Sequence, residues 1–396
     1  MAIHMNALLT VAFSAALYWL GNWLVARITV LQTYCIPAPL VGGILFALTN
    51  TILYAAGKPY FTFDSKIQTL LMVAFFTTAG FTAQISLLKK GGKAVLVAMI
   101  LASALTLLQN LLGAGVLMAF GQDPRLGLAV GSISLIGGPG TAASFGPVLE
   151  AAGAKGGLAV GVAAATFGLV MGSVLGGPVA NWLIKRHGIT GRAAEENAAA
   201  VATEQHTTLS APRLAAAAIL IVLCMLAADG MAKVFTGHTG VNLPWFVAAM
   251  LAGAILRNLW FFGSFPDEEA DRIGNICLCG FLSMAMMSLK IWDLAELAGP
   301  LVVTLALQTI LLLVFSCFFA FPKMGRDYDA AVMTAGFIGF AMGATSNAMA
   351  NMQAVTRKYG PSQTSFLVIP LVGGMGIDFV NIFVVSALIP IFGNLI

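Results

Sequence analysis

The chain has 396 residues, 59 % of them apolar and 9 % charged, with 20 lysines and arginines against 16 acidic residues and a net charge of +4. A soluble domain carries about 25 % charged residues, so this composition, with mean hydropathy +0.93, excludes a water-soluble enzyme and describes a polytopic membrane protein. The cations are dispersed over short connections, which argues against nucleic acid as a partner.

The length allows about ten spans of roughly 20 apolar residues each. They are drawn over 6–26, 37–57, 67–88, 94–120, 156–184, 213–236, 243–263, 271–290, 299–321 and 363–392. The first has no basic n-region or small-residue cleavage site, so it reads as a span and not a removed signal. Five cysteines (Cys35, Cys224, Cys277, Cys279, Cys317) lie in or beside apolar runs, and four histidines (His4, His187, His206, His238) lie in tails and connections. Neither set has metal-ligand spacing, so the cysteines read as free thiols and no cofactor is implied.

Two glycine-rich stretches interrupt this pattern: Leu135-Ile-Gly-Gly-Pro-Gly-Thr-Ala-Ala-Ser144 and Phe337-Ile-Gly-Phe-Ala-Met-Gly-Ala-Thr-Ser-Asn347. They are too apolar for solvent loops and too rich in glycine for unbroken spans. A bilayer tolerates broken backbone only where protein buries it or it lines a wet cavity. The expectation is two re-entrant hairpins, over about 126–150 and 328–356, whose tips meet near the membrane middle.

The long polar stretch from His187 to Arg213 reads as a solvated linker. It divides the chain into 1–186 and 213–396, each with five spans and one hairpin. With the N-terminus outside, fourteen of the 20 cations fall on the cytoplasmic side and six outside. The excess makes the linker cytoplasmic and puts both termini outside. Five is an odd number, so the halves must be inverted. Weak matches run in the same order through both: Gly121-Gln-Asp123 with Gly325-Arg-Asp327, Ala129-Val130 with Ala331-Val332, Leu135-Ile-Gly137 with Phe337-Ile-Gly339, and Gln109 with Gln308. Inverted repeats around a midplane site are the usual build of secondary transporters. The fold class expected is therefore an all-α polytopic membrane protein of two inverted five-span repeats, each with a re-entrant hairpin.

With these stretches in view, the chain resembles the bacterial sodium/glutamate symporter family over nearly its whole length. The resemblance is carried by Ile36-Pro-Ala-Pro-Leu-Val-Gly-Gly43, Gly137-Gly-Pro-Gly-Thr141, Thr166-Phe-Gly-Leu-Val-Met-Gly172 and Gly176-Gly-Pro178. It continues in Tyr328-Asp-Ala-Ala-Val332, Gly343-Ala-Thr345, Ala350-Asn-Met-Gln-Ala354, Gly373 and Asp378-Phe-Val-Asn381. It implies a homodimeric bacterial inner-membrane protein that imports glutamate with sodium, by elevator-type motion of a substrate-carrying domain against a dimerising scaffold. The chain departs at two presumed tips, with Pro139 where the family often has histidine and Ser346 where it often has proline.

The residues themselves say how an anion would be held. No lysine or arginine falls at the centre of a drawn span, so an acidic amino acid must be bound by neutral donors. Broken-helix N-termini offer free N–H groups and the positive dipole end. The substrate candidates are Gly137, Gly138, Gly140, Thr141, Ser144, Thr345, Ser346, Asn347 and Asp378. Asp378 lies midway along an apolar run, where an ionised carboxylate costs about 2.5–3.5 kcal/mol on insertion scales. It could take the substrate ammonium or a sodium ion, with Asn381 on the same side one turn on. The sodium candidates, chosen as oxygen donors, are Gly137, Met342, Gly343, Thr345, Asn351, Asp378 and Asn381. Gln109, Asn110 and Gln308 read first as bridges between helices, and Gly161, Gly168 and Gly172 as close helix packing. Spans one, two, six and seven are expected to form the scaffold, and the rest the moving domain. The rival readings are a sodium- or proton-coupled carrier of another small carboxylate, an intramembrane enzyme and a channel.

Overall fold

A computed structural model describes residues 2–34, 36–84, 92–189, 210–239, 243–294 and 297–394. Most of the linker, 190–209, lies outside them, as does Cys35. The chain is nearly all helical, and helices occupy all ten stretches drawn from the sequence. Seven of the described helices are long and apolar enough to cross a membrane; Lys66–Phe81 and Trp245–Leu259 are apolar but shorter.

One element lies outside the all-helical expectation. Residues Ala2–Met5 (β1) and Tyr60–Phe63 (β2) form a parallel two-stranded ribbon, with Ala2 opposite Tyr60 and Met5 opposite Phe63. Asn50 clamps it, accepting from the Phe61 N–H at 2.8 Å and donating to the Phe61 carbonyl at 3.1 Å.

The helices pack as two groups. The first contains α1 (Ala7–Arg27), the short α2 (Thr29–Thr33), α3 (Ala38–Ala55) and α4 (Lys66–Phe81). Beyond the linker it also takes α10 (Ala211–Thr239), α11 (Trp245–Leu259) and α12 (Asp267–Met287). Helices α1 and α3 cross backbone to backbone, because a Cβ on Gly21 would stand 2.0 Å from the Ala38 carbonyl oxygen. Span three (α4) lies between α11 and α12, and span eight (α12) packs on α3 and α4. Spans three and eight, grouped with the hairpins in the sequence reading, thus pack with spans one, two, six and seven. Hydropathy marks them as spans but carries no record of which neighbours their buried faces meet.

The second group contains α5 (Gly92–Ala119), α6 (Pro124–Val130), α7 (Ser132–Leu135), α8 (Gly138–Ala151) and α9 (Gly157–Arg186). Its C-terminal members are α13 (Ala298–Phe315), the single turn α14 (Phe321–Lys323), α15 (Tyr328–Ala341), α16 (Thr345–Tyr359), α17 (Gln363–Leu371) and α18 (Ile377–Gly393). A π-helical turn, Ser316–Ala320, joins α13 to α14; another, Val372–Gly376, joins α17 to α18. The groups meet on an apolar surface. Phe145 of α8 stands edge-on to Phe246 of α11 at 5.1 Å, and Ala143, Ala159 and Val162 pack against Leu40, Phe281 and Ala285.

The two hairpins, α6–α8 and α15–α16, are entered alike. Asp123 caps α6 by accepting from the Arg125 N–H, and Asp327 caps α15 by accepting from the Ala330 N–H, both at 2.8 Å. Each carboxylate satisfies an end N–H at the positive pole of its helix. Gly121 and Gly325, two residues earlier, both have positive φ. Both Gly-x-Asp motifs thus make an Asp-capped entry turn, though Asp123 takes the N–H two residues on and Asp327 the one three residues on, and Arg326 also has positive φ. The match of Gly137 with Gly339 does not extend to the reversals. Gly137 sits at the first tip, whereas Gly339 is helical and lets Ala348 of the second arm approach.

Candidate substrate and ion site

The first hairpin breaks twice. At Gly131 the backbone leaves the helical region (φ −91°, ψ −135°). The N–H freed there, on Ser132, donates to Asn110 Oδ1 of α5 at 3.1 Å, since a buried N–H must find an acceptor. The Ser132 hydroxyl lies 3.0 Å from the same oxygen and 2.5 Å from Asn381 Oδ1, and Asn381 Nδ2 donates to the Ser132 carbonyl at 3.0 Å. The second break is the tip, Ile136–Gly138. Gly138 has φ +69°, a region that glycine enters without penalty.

The second hairpin reverses over Met342, Gly343 and Ala344, between α15 and α16. Helix α9 seats this reversal. A Cβ on Gly168 would stand 2.4 Å from the Met342 carbonyl oxygen, and one on Gly172 3.1 Å from that of Gly339. Asn347 Nδ2 donates to the Leu169 carbonyl at 2.9 Å and Asn351 Nδ2 to that of Gly172 at 2.8 Å. The Thr345 hydroxyl donates to the Gly373 carbonyl at 3.0 Å, inside the π-helical turn that precedes Asp378. From α5, Gln109 Nε2 donates to the Ala341 carbonyl at 3.0 Å.

The tips touch: the Cβ position of Gly138 is 3.3 Å from the Gly343 carbonyl oxygen. The helices leaving them, α8 and α16, carry no side-chain cap at their N-termini. Aspartates close the outer ends of both hairpins while the inner ends keep bare amides. An unfilled helix N-terminus, with its dipole, is a ready anion site.

Of the residues singled out from the sequence, Gly137, Gly138, Thr141, Met342, Gly343, Thr345 and Asn347 gather at these tips. Thr141 is buried, with its hydroxyl against Gly137, and Asn347 is fully buried with Oδ1 unpartnered. Others point elsewhere. Gly140 faces Leu278, Phe281 and Phe75 of the first group, and the Ser144 hydroxyl returns to the Gly140 carbonyl of its own helix. Ser346 is exposed. Asn351 lies about a turn deeper, against α9. Asn381 does face its hairpin, but at Ser132 instead of a tip. Asp378 opens α18, is half-buried, and makes no hydrogen bond or ion pair among the described residues. Gly161, Gly168 and Gly172 are packing positions, the last two against the second tip. Gln109, Asn110 and Gln308 are bridges, Gln308 Nε2 donating to the Gln109 carbonyl at 2.7 Å. Ser132 was not singled out from the sequence. Its one signal is a hydroxyl following a glycine inside an apolar arm.

Comparison with known proteins adds an independent line. The sodium/glutamate symporter family profile matches residues 3–361. The sodium/glutamate symporter of Escherichia coli K12 is 37 % identical over 401 residues, covering 99 % of this chain and 100 % of the relative; that of Shigella flexneri matches equally. The sodium/glutamate symporter of Haemophilus influenzae is 38 % identical over 382 residues, covering 94 % of each chain. The region beyond residue 361, with Asp378 and Asn381, lies outside the family match but within the match to the Escherichia coli relative. A chain of apolar helices with two touching, uncapped breaks, similar along its whole length to these proteins, belongs to the sodium/glutamate symporter family, a family of membrane transporters and not of enzymes.

Proposed function

We propose that this chain imports glutamate with sodium across the cytoplasmic membrane of a bacterium, by alternating access. The observation that carries the reading is the pair of adjacent, uncapped helix N-termini at Gly138 and Thr345, offering neutral donors to an anion. Amides of Gly138, Gly140 and Thr141 on one side, and of Thr345, Ser346 and Asn347 on the other, receive the carboxylates. Asp378 takes the ammonium or a sodium ion. Carbonyls near Gly137, Met342 and Gly343, with the Thr345 hydroxyl oxygen, supply hard ligands for sodium, while Asn351 braces the second hairpin against α9 and Asn381 the first at Ser132. Sodium organises the tips and raises affinity for the anion, and by reciprocity glutamate tightens sodium by the same factor.

In this reading residues 1–186 and 213–396 are inverted repeats and the linker 187–212 is cytoplasmic. Both termini lie outside, and the hairpins re-enter the membrane from opposite faces. The alike entry turns at Asp123 and Asp327 support the repeat. The first helix group is the scaffold and the contact face of a homodimer, and the second group carries the site. The small apolar side chains between the groups, such as Ala143, Ala159 and Ala285, support relative sliding.

The test is uptake of labelled amino acids into proteoliposomes of the purified protein, with and without an inward sodium gradient. Sodium-dependent accumulation of glutamate, and exchange of labelled for unlabelled glutamate, are expected. If glutamate neither enters nor competes while another carboxylate does, the substrate assignment falls. If flux proceeds without exchange, the carrier mechanism falls.

A further inference from the structure

Two long helices beside the second break each carry a wholly buried glutamine in an apolar run, Gln109 in α5 and Gln308 in α13. Their hydrogen bonds fix how each carboxamide points. Gln109 Nε2 donates to the Ala341 carbonyl at 3.0 Å, and Gln308 Nε2 donates to the Gln109 carbonyl at 2.7 Å. Turning either amide over would set oxygen against oxygen, so in both the side-chain carbonyl is the free end. Neither Oε1 meets a donor among the described residues.

A buried acceptor without a donor costs about 1–3 kcal/mol, and here two belong to one hydrogen-bonded chain. The nearest spare donor in sequence, Asn110 Nδ2, is also unpartnered. It does not serve, because consecutive helix residues do not face each other, and Asn110 is pinned to Ser132 through Oδ1. The free set is uncharged, acceptor-only and made of hard oxygens. That suits an alkali cation, is too weakly charged for a divalent ion that favours carboxylates, and has the wrong polarity for an anion. Its location is equally specific: Gln109 Nε2 holds the carbonyl of Ala341, the last residue before the reversal, and Gln308 is tied to the same place through the Gln109 carbonyl.

We propose that the Oε1 atoms of Gln109 and Gln308 ligate a sodium ion at the base of the second hairpin's reversal, one ligand coming from each half of the chain. The proposal rests on the sodium-coupled reading above and adds residues which that reading leaves as bridges. A cation there holds Ala341–Met342 in the reversed conformation that presents the amides of α16.

The experiment is thermal unfolding of the full-length protein in detergent without glutamate, titrated with sodium chloride against choline chloride. Gln308→Met keeps the side-chain length and removes the oxygen. It is expected to raise the sodium concentration for half-maximal stabilisation by about tenfold, the effect of one lost ligand. Gln308→Glu keeps an oxygen but loses the donor to Gln109, and its midpoint should stay at or below the unaltered protein's. A Gln308→Met midpoint within twofold overturns the proposal. So does an equal rise in both variants, because the lost donor would then be the cause. If Gln308→Met fails to fold, Gln109→Met is read by the same criterion. Absence of both sodium stabilisation and sodium-dependent uptake in the unaltered protein overturns the functional reading as well, a result distinct from failure of the glutamines alone.

Discussion

Gly168 of α9 is the position where one added methyl group tests how the second tip is held. Its Cβ would stand 2.4 Å from the Met342 carbonyl oxygen and 3.2 Å from Leu135 Cδ2. Carbon and oxygen make ordinary contact at about 3.4 Å, so in Gly168→Ala either α9 or the reversal must retreat by about 1 Å. Overpacking of this kind costs about 1–3 kcal/mol. If that cost falls on the substrate-bound geometry, affinity drops by about 5- to 150-fold. Gly177, nine residues on in the same helix, has open space where its Cβ would be. Gly177→Ala is therefore the matched control, with the same gain in helix propensity and no clash. The assay is the concentration dependence of glutamate uptake in proteoliposomes at saturating sodium. The expected result is a raised KM for Gly168→Ala and an unchanged one for Gly177→Ala. A KM within twofold in both variants, or an equal change in both, would refute the role given to the tip.

Asp378→Asn is expected to change the sodium dependence of uptake, and unchanged sodium dependence with unchanged glutamate affinity would remove Asp378 from the site. Thr345→Val removes the hydroxyl bond to Gly373 and should weaken glutamate by up to about tenfold, from about 0.5–1.5 kcal/mol for one hydrogen bond, as read by competition with labelled glutamate. Asn381→Leu deletes both contacts to Ser132 and leaves its carbonyl without that donor. It should destabilise the protein by about 1–3 kcal/mol, seen as a lower Tm in detergent, and an unchanged Tm would deny the bridge its structural weight. Asp327→Ala removes the entry cap of the second hairpin and should cost about 1 kcal/mol, most of it restored in Asp327→Asn.

The sequence by itself determined the class of the protein and the positions of the two tip breaks, but not the earlier break at Gly131. An apolar run long enough to cross lipid, or a Gly-Gly-Pro-Gly-Thr interruption within one, is a local property that no distant contact can reverse. The Gly-x-Asp motifs at Asp123 and Asp327 were legible only as a recurrence, although the caps they form are local, made within four residues. Only the tertiary structure decided which apolar helices belong together. Faces that meet lipid and faces that meet protein are equally apolar in a membrane, so hydropathy could not assign α4 and α12 to the first group. The polar residues divided on the same principle. A buried asparagine or glutamine announces that a partner exists, but the partner of Asn381 is 249 residues away and that of Gln109 is 232. Packing of the long helices chose those partners. It also turned Gly140 away from the tip that its neighbours form and left the amides of α8 and α16 bare.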